Sequence, residues 1–145
     1  MKAHENSPFL EILVQTDPAG TVELSGELGN VRMIPFSGKA FGPLFRGIVE
    51  PCGVDTQITN QNDVRHMSAR YMLTGTDHTG ASCHIYIENN GWFTDGARPK
   101  PFRTVPSFYT DSTALAPFLH RNHFAGEGAR DESGLWIRFY ELSDR

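Results

Sequence analysis

Residues Asp63 to Gly91, DVRHMSARYMLTGTDHTGASCHIYIENNG, decide how this chain folds. Two runs, Arg65–Thr74 and Ser82–Asn89, flank the polar segment Thr76-Asp77-His78-Thr79-Gly80. Both runs alternate. Met67, Ala69, Tyr71 and Leu73 fall on one face of the first, opposite Ser68, Arg70 and Thr74. Cys83, Ile85 and Ile87 fall on one face of the second, opposite His84, Tyr86 and Glu88. A period of two about a glycine-bearing turn is the mark of a β-hairpin. Asn90-Gly91 reads as the turn that ends it, since both residues tolerate positive φ.

Working outward, Phe9–Thr16 and Thr21–Gly26 flank Asp17-Pro18-Ala19-Gly20 and form a first hairpin. Val31–Ser37 reads as a third strand, at an edge or bulged near Pro35, which has no N–H to give a ladder. Leu44–Val49 is a fourth. Glu50-Pro51-Cys52-Gly53 interrupts the pattern before a short extended piece, Val54–Ile58. Trp92–Lys100 reads as a loop that lids one end of the sheet, and Phe102–Val105 and Phe108–Thr110 as strand. Asp111-Ser112-Thr113 offers helix caps before Ala114, Leu115, Phe118 and Leu119, whose spacing gives one apolar stripe. Pro117 keeps this helix short. Asn122–Gly128 and Leu135–Leu142 close the chain as a hairpin, the last strand bulky on both faces.

The expectation is an all-β domain over residues 1–145, with nine or ten strands and one short helix that plugs or flanks the sheet. A sheet of that size curls, splits or closes, and a closed or nearly closed antiparallel β-barrel is favoured. At 145 residues the chain is long enough for a sizeable core. Ten Phe, four Tyr and two Trp offset a modest hydrophobic fraction, because each ring buries a large area. A net charge of −4 without a basic cluster argues against nucleic acid and against an anionic membrane surface. No apolar run is long enough to span a bilayer, and the first residues lack a signal-peptide pattern. A cytoplasmic location with Cys52 and Cys83 as thiols is the expectation.

A set of segments in fixed order resembles the family catalogued as domain of unknown function 3237. They are Arg32-Met33-Ile34-Pro35 with Gly38 and Phe41-Gly42-Pro43, Gly47 through Gly53 followed by Val54-Asp55-Thr56-Gln57, Ala69-Arg70-Tyr71, Ile85-Tyr86, Phe102-Arg103-Thr104, and Leu119 with Arg121. The resemblance covers roughly Leu10 to Leu142. It implies an antiparallel barrel of the calycin or allene-oxide-cyclase type, often oligomeric, and implies little about chemistry. The family pattern has an aromatic where this chain has Thr56, and Asn where it has His120.

Chemistry is expected on the polar strand faces. Asp55 and Glu88 are candidate bases and Tyr86 a candidate acid. Arg70 and Arg103 would hold an anion through their planar forks, with His84, His120 and Trp92 as further ligand contacts. The bland alternative is that this polar face is solvated and the apolar face is the core. His120-x-x-His123 and His78 lack the spacing of a metal site, so neither a metal nor an organic cofactor is expected. No nucleophile elbow or phosphate loop is present. The leading function is a small-molecule pocket with acid–base chemistry on an organic acid or carbonyl compound, as in an isomerase, cyclase or lyase. A non-catalytic binding protein and a structural homo-oligomer are the alternatives.

Overall fold

The computed structural model describes residues 7–94 and 101–143. The expected central hairpin is present and longer than its alternation suggested, as strands β5 (Arg65–Asp77) and β6 (Ser82–Phe93). They pair antiparallel from Arg65↔Phe93 to Thr76↔Ser82. Asn90-Gly91 is not a turn. Gly91 is buried within β6, where a side chain would crowd the Phe93 ring and the Arg103 carbonyl, so the glycine serves packing.

Around this hairpin lie β1 (Leu10–Thr16), β2 (Val22–Gly26), β3 (Gly29–Phe41), β4 (Phe45–Asn60), β7 (Phe102–Thr110), β8 (Phe124–Asp131) and β9 (Gly134–Glu141). The sheet order is β1-β9-β8-β7-β6-β5-β4-β3-β2, and β1 also pairs with β3. That extra pairing closes eight strands into an antiparallel barrel and leaves β2 as a ninth strand outside the closure. Strand β3 changes neighbours along its length. Gly29–Met33 face β2, and Phe36–Phe41 face β1. Pro35 falls at the changeover, where its missing N–H costs least, and a register shift follows between Phe36 and Gly38.

Two expected breaks are corrected, and the expected continuation of Phe102–Val105 into Phe108–Thr110 is borne out. Glu50–Gly53 does not end a strand; it is a bulge in the continuous β4, which shifts register between Val49 and Val54. Phe102–Thr110 is one strand. Trp92 and Phe93 belong to β6, and the rest of the expected lid, from residue 95 to 100, lies outside the described residues.

The core is the inward face of the eight barrel strands, whereas β2 buries no residue. Leu10, Ile12, Leu73, Ile85, Ile87, Phe108 and Phe139 are almost completely buried. One barrel end is filled by rings: Phe108 meets Phe9, Phe124 and Phe139 edge-on at 5.3–5.8 Å. The helix is the single turn α1, Ala116–Leu119, and it closes that end with Leu115 and Leu119. Ser112 Oγ accepts from Leu115 N and donates to Asp77 Oδ2 at 2.7 Å. Asp77 Oδ1 in turn accepts the backbone N–H groups of Thr79 and Ala81. These hydrogen bonds tie the β5–β6 turn to α1 and lower the Asp77 pKa to about 2, the Thr79 and Ser112 hydroxyls contributing most. Cys83 is buried and Cys52 exposed, both as thiols. Among the described residues no helix is long and apolar enough to cross a membrane.

Candidate functional site

The polar face of the β5–β6 hairpin is on the outside of the barrel. Arg70 Nη2 lies 3.5 Å from Glu88 Oε2 across the two strands, with Arg70 largely exposed. The Tyr86 hydroxyl donates to Glu88 Oε1 at 3.4 Å, and partial burial followed by the Glu88 charge raises its pKa. His84 caps Asp111, with Nδ1 2.8 Å from Oδ2 and its backbone N–H donating to Oδ1 at 2.7 Å. That backbone bond is the first reason the Asp111 pKa is lowered. His120 Nε2 accepts from Thr110 N at 3.1 Å. The Trp92 indole is exposed and stacked on His66 at 4.7 Å. Arg103 is exposed on β7, opposite Glu127 in register.

Of the eight residues expected to share a pocket, only Asp55 faces the interior. The reason is energetic. Turning Arg70, His84, Tyr86, Glu88 and Arg103 inward would expose Ile85, Ile87 and Phe102 and bury several charges at once. Exterior placement separates Asp55 from Tyr86 and Glu88 by the sheet itself, so these three do not form one acid–base set.

The interior has its own polar residues at the barrel end away from α1. Strand β4 points Asp55 and Gln57 inward, and Gln57 Nε2 donates to Asp55 Oδ2 at 2.9 Å. Beside them opens a cavity of about 450 Å³ edged by Arg32, Arg65 and Arg130 with Thr16, Asp55 and Leu135. Arg32 Nε is 3.1 Å from the exposed Glu23, and Arg65 lies over the Phe93 ring. Among the described residues Arg130 forms no ion pair. With Arg32 paired to Glu23, the guanidinium groups of Arg65 and Arg130 stand against the carboxylate of Asp55, a local excess of positive charge in a chain that is acidic as a whole.

Below it lies a small chamber of about 50 Å³, which shares Thr16, Asp55 and Leu135 with the mouth. Its wall is mostly apolar, with Phe36, Met67 and Ile137, and its polar members are Thr16, Asp55, Tyr71 and Asn89. Tyr71 is packed edge-on against Phe36 at 5.0 Å. Burial, and then the Asp55 charge, push its pKa far up, so it stays a neutral phenol at every physiological pH. A second groove of about 480 Å³, which shares Thr16 and Arg130 with the mouth, runs outside the barrel between Lys39 and Arg130. It reaches no buried polar side chain, so the mouth and chamber are the better candidate.

The family described as protein of unknown function (DUF3237) matches residues 5–142. The chain belongs to this family. A UPF0311 protein of Clostridium acetobutylicum is 37% identical, with 80% of each chain covered. A crystal structure of a protein with unknown function from the same organism superposes with a TM-score of 0.73 at 30% identity, over 94% of this chain and 95% of that one. A conserved protein of unknown function from Rhodopseudomonas palustris has a TM-score of 0.73 at 23% identity, over 94% and 96%. A β-barrel-like protein from Acinetobacter baumannii has a TM-score of 0.72 at 21% identity, over 94% of each chain. The last two establish the fold alone.

Within this DUF3237 barrel, the interior polar residues that sequence reading passed over are Gln57, Tyr71, Asn89 and the three mouth arginines. A signal for Asn89 was available. Cys83, Ile85 and Ile87 set the inward parity of β6, and two residues further along it is Asn89. Ending the strand at an Asn-Gly turn hid that. Arg32, Arg65 and Arg130 had no signal in the sequence, because only closure of β1 on β3 brings those strand ends together.

Proposed function

We propose that this barrel is a small-molecule binding protein whose mouth takes a compound bearing a carboxylate. The observation that carries the reading is the junction of two spaces: an arginine-edged cavity of about 450 Å³ and a smaller, mainly apolar chamber of about 50 Å³ that shares Thr16, Asp55 and Leu135 with it. Sites for small ligands have this form, with a concave apolar body and a few convergent polar groups that fix orientation. Guanidinium forks hold a carboxylate through paired hydrogen bonds, and Arg130 has no competing ion pair among the described residues. In the catalytic form of this reading Asp55 is the proton acceptor and the neutral Tyr71 phenol the donor, in place of Tyr86 and Glu88. The test is calorimetric titration of short-chain carboxylates against the parent, Arg130→Gln, and the exterior variants Arg70→Gln and Arg103→Gln. Binding weakened by Arg130→Gln, but by neither exterior variant nor by Lys39→Gln, which borders the outer groove and not the mouth, supports the mouth. Equal weakening by the exterior variants refutes it.

A second reading, a homo-oligomer built on the outer wall, is favoured by one feature. Leu24, Val31, Ile58, His66 and Trp92 are successive cross-strand neighbours over five strands. Leu24, Ile58 and Trp92 are exposed there, and Val22, Met33 and Val105 are exposed on the same outer face. Apolar bands of this kind mark association surfaces. Sedimentation of the parent against Leu24→Glu decides it. A parent that stays monomeric at high concentration removes the reading.

A further inference from the structure

Asn89 is about 1% exposed, yet its Oδ1 accepts no hydrogen bond. A buried acceptor without a donor costs about 1–3 kcal/mol and calls for an explanation. Its position supplies one. Asn89, Ala69 and Asp55 are cross-strand neighbours on β6, β5 and β4, all three on the inward face. Adjacent strands are about 4.8 Å apart, so the backbones carrying Asn89 and Asp55 are about 10 Å apart, with only a methyl group between them. The chamber is the space left above Ala69. Longer residues at that position would fill it, as Met67 and Tyr71 fill the positions on either side along β5.

We infer that the chamber above Ala69 binds the hydroxyl end of a hydroxy acid, the hydroxyl donating to Asn89 Oδ1 while the carboxylate sits among the mouth arginines. The inference rests on the mouth reading and adds the ligand's second group. The chamber volume of about 50 Å³ suits a hydroxyl or hydroxymethyl terminus and is too small for an aromatic ring. Asn89 then selects for a donor, because a ligand ending in a methyl group leaves Oδ1 unsatisfied. Thr104 Oγ1 is also buried without a partner, but it faces Gly126 and does not line the chamber, so it exerts no such selection.

The test is calorimetric titration of matched pairs: ω-hydroxy carboxylates of three to six carbons against the unsubstituted carboxylates of equal length. On the parent, at least one hydroxy acid should bind about tenfold tighter than its partner, the usual worth of a buried hydrogen bond together with an avoided unsatisfied acceptor. Asn89→Leu keeps the volume and removes the acceptor, so the preference should vanish or reverse. Ala69→Val leaves Asn89 intact and fills the chamber, so it should also abolish the preference while the unsubstituted acid still binds. The ligand pairs on the parent decide the matter even if a variant does not fold. Carboxylates that bind with Arg130-dependent affinity and no hydroxyl preference, as when water keeps the chamber, overturn this inference and leave the mouth reading standing. If neither series binds, the mouth reading falls, and this inference with it.

Discussion

Ile87 and Glu88 are adjacent on β6, point to opposite sides of the barrel wall, and should respond to substitution in opposite ways. Ile87 is completely buried among core side chains. Ile87→Ala removes three carbons, each worth about 0.8 kcal/mol of transfer free energy, or about 2.4 kcal/mol before any cavity is counted. A residual cavity brings the expected loss to about 3–4 kcal/mol, within the usual range for truncating a buried isoleucine. Glu88→Gln removes an ion pair with the largely exposed Arg70 at 3.5 Å. Exposed pairs are worth about 0–1 kcal/mol, so the loss should stay below about 1 kcal/mol. Urea unfolding followed by tryptophan fluorescence and extrapolated linearly reads both, with an unchanged slope as the check that the unfolded state is the same. A typical domain has about 5–15 kcal/mol of stability, so Ile87→Ala should leave a folded but clearly weakened protein. If Glu88→Gln proves the costlier change, the wall is inside out, and the polar face that contains Arg70 and Tyr86 lines the cavity after all.

Four further outcomes follow from the same geometry. Gly47 and Gly75 face each other on β4 and β5, and a methyl at Gly75 would strike the Arg46 carbonyl and lie 2.6 Å from the Gly47 Cα. Gly75→Ala should therefore cost about 1–3 kcal/mol or more in urea unfolding, whereas Gly26→Ala, which meets nothing, should be within about 0.5 kcal/mol of the parent. Asp77 has its pKa lowered from 3.8 to about 2 by hydrogen bonds that exist only when folded. Its contribution is therefore complete above the unfolded value of 3.8 and is lost as pH falls toward 2; Asp77→Asn should be weaker than the parent near neutrality and lose less stability over that acid range, as read from urea midpoints. Tyr71→Phe should change the parent's pH profile for carboxylate binding very little between pH 6 and 9, since the phenol stays neutral throughout; a shift in that window would show that Tyr71 ionises. Trp92→Ala should leave carboxylate affinity unchanged, because the indole stacks on His66 outside the barrel.

The strand plan was legible because an antiparallel sheet with one buried face writes a period of two into its sequence, and β5 and β6 carry that period plainly. Interruptions were harder. Glu50-Pro51-Cys52-Gly53 and Asn90-Gly91 look like turns, yet a bulge and a packing glycine satisfy the same residues within continuous strands. Of the candidate site, only Asp55 was legible. Alternation says that two faces exist, while the placement of each depends on weighing Ile85 and Ile87 against Tyr86 and Glu88, which is a question of burial energy and not of spacing. The mouth arginines come from β3, β5 and β8, strands distant in sequence that meet only at the rim of a closed barrel.

The barrel divides its labour along its axis. Phe9, Phe108, Phe124 and Phe139 are packed ring against ring at the end sealed by α1, while the opposite end holds the arginines, Asp55 and the small chamber. The packed rings and the charged cavity thus draw on different side chains at opposite poles. Substitutions at the rim would alter the cavity without drawing on the aromatic end, so the two poles can change independently of one another. Solved structures that keep the same fold at 21–30% identity are what such a division permits.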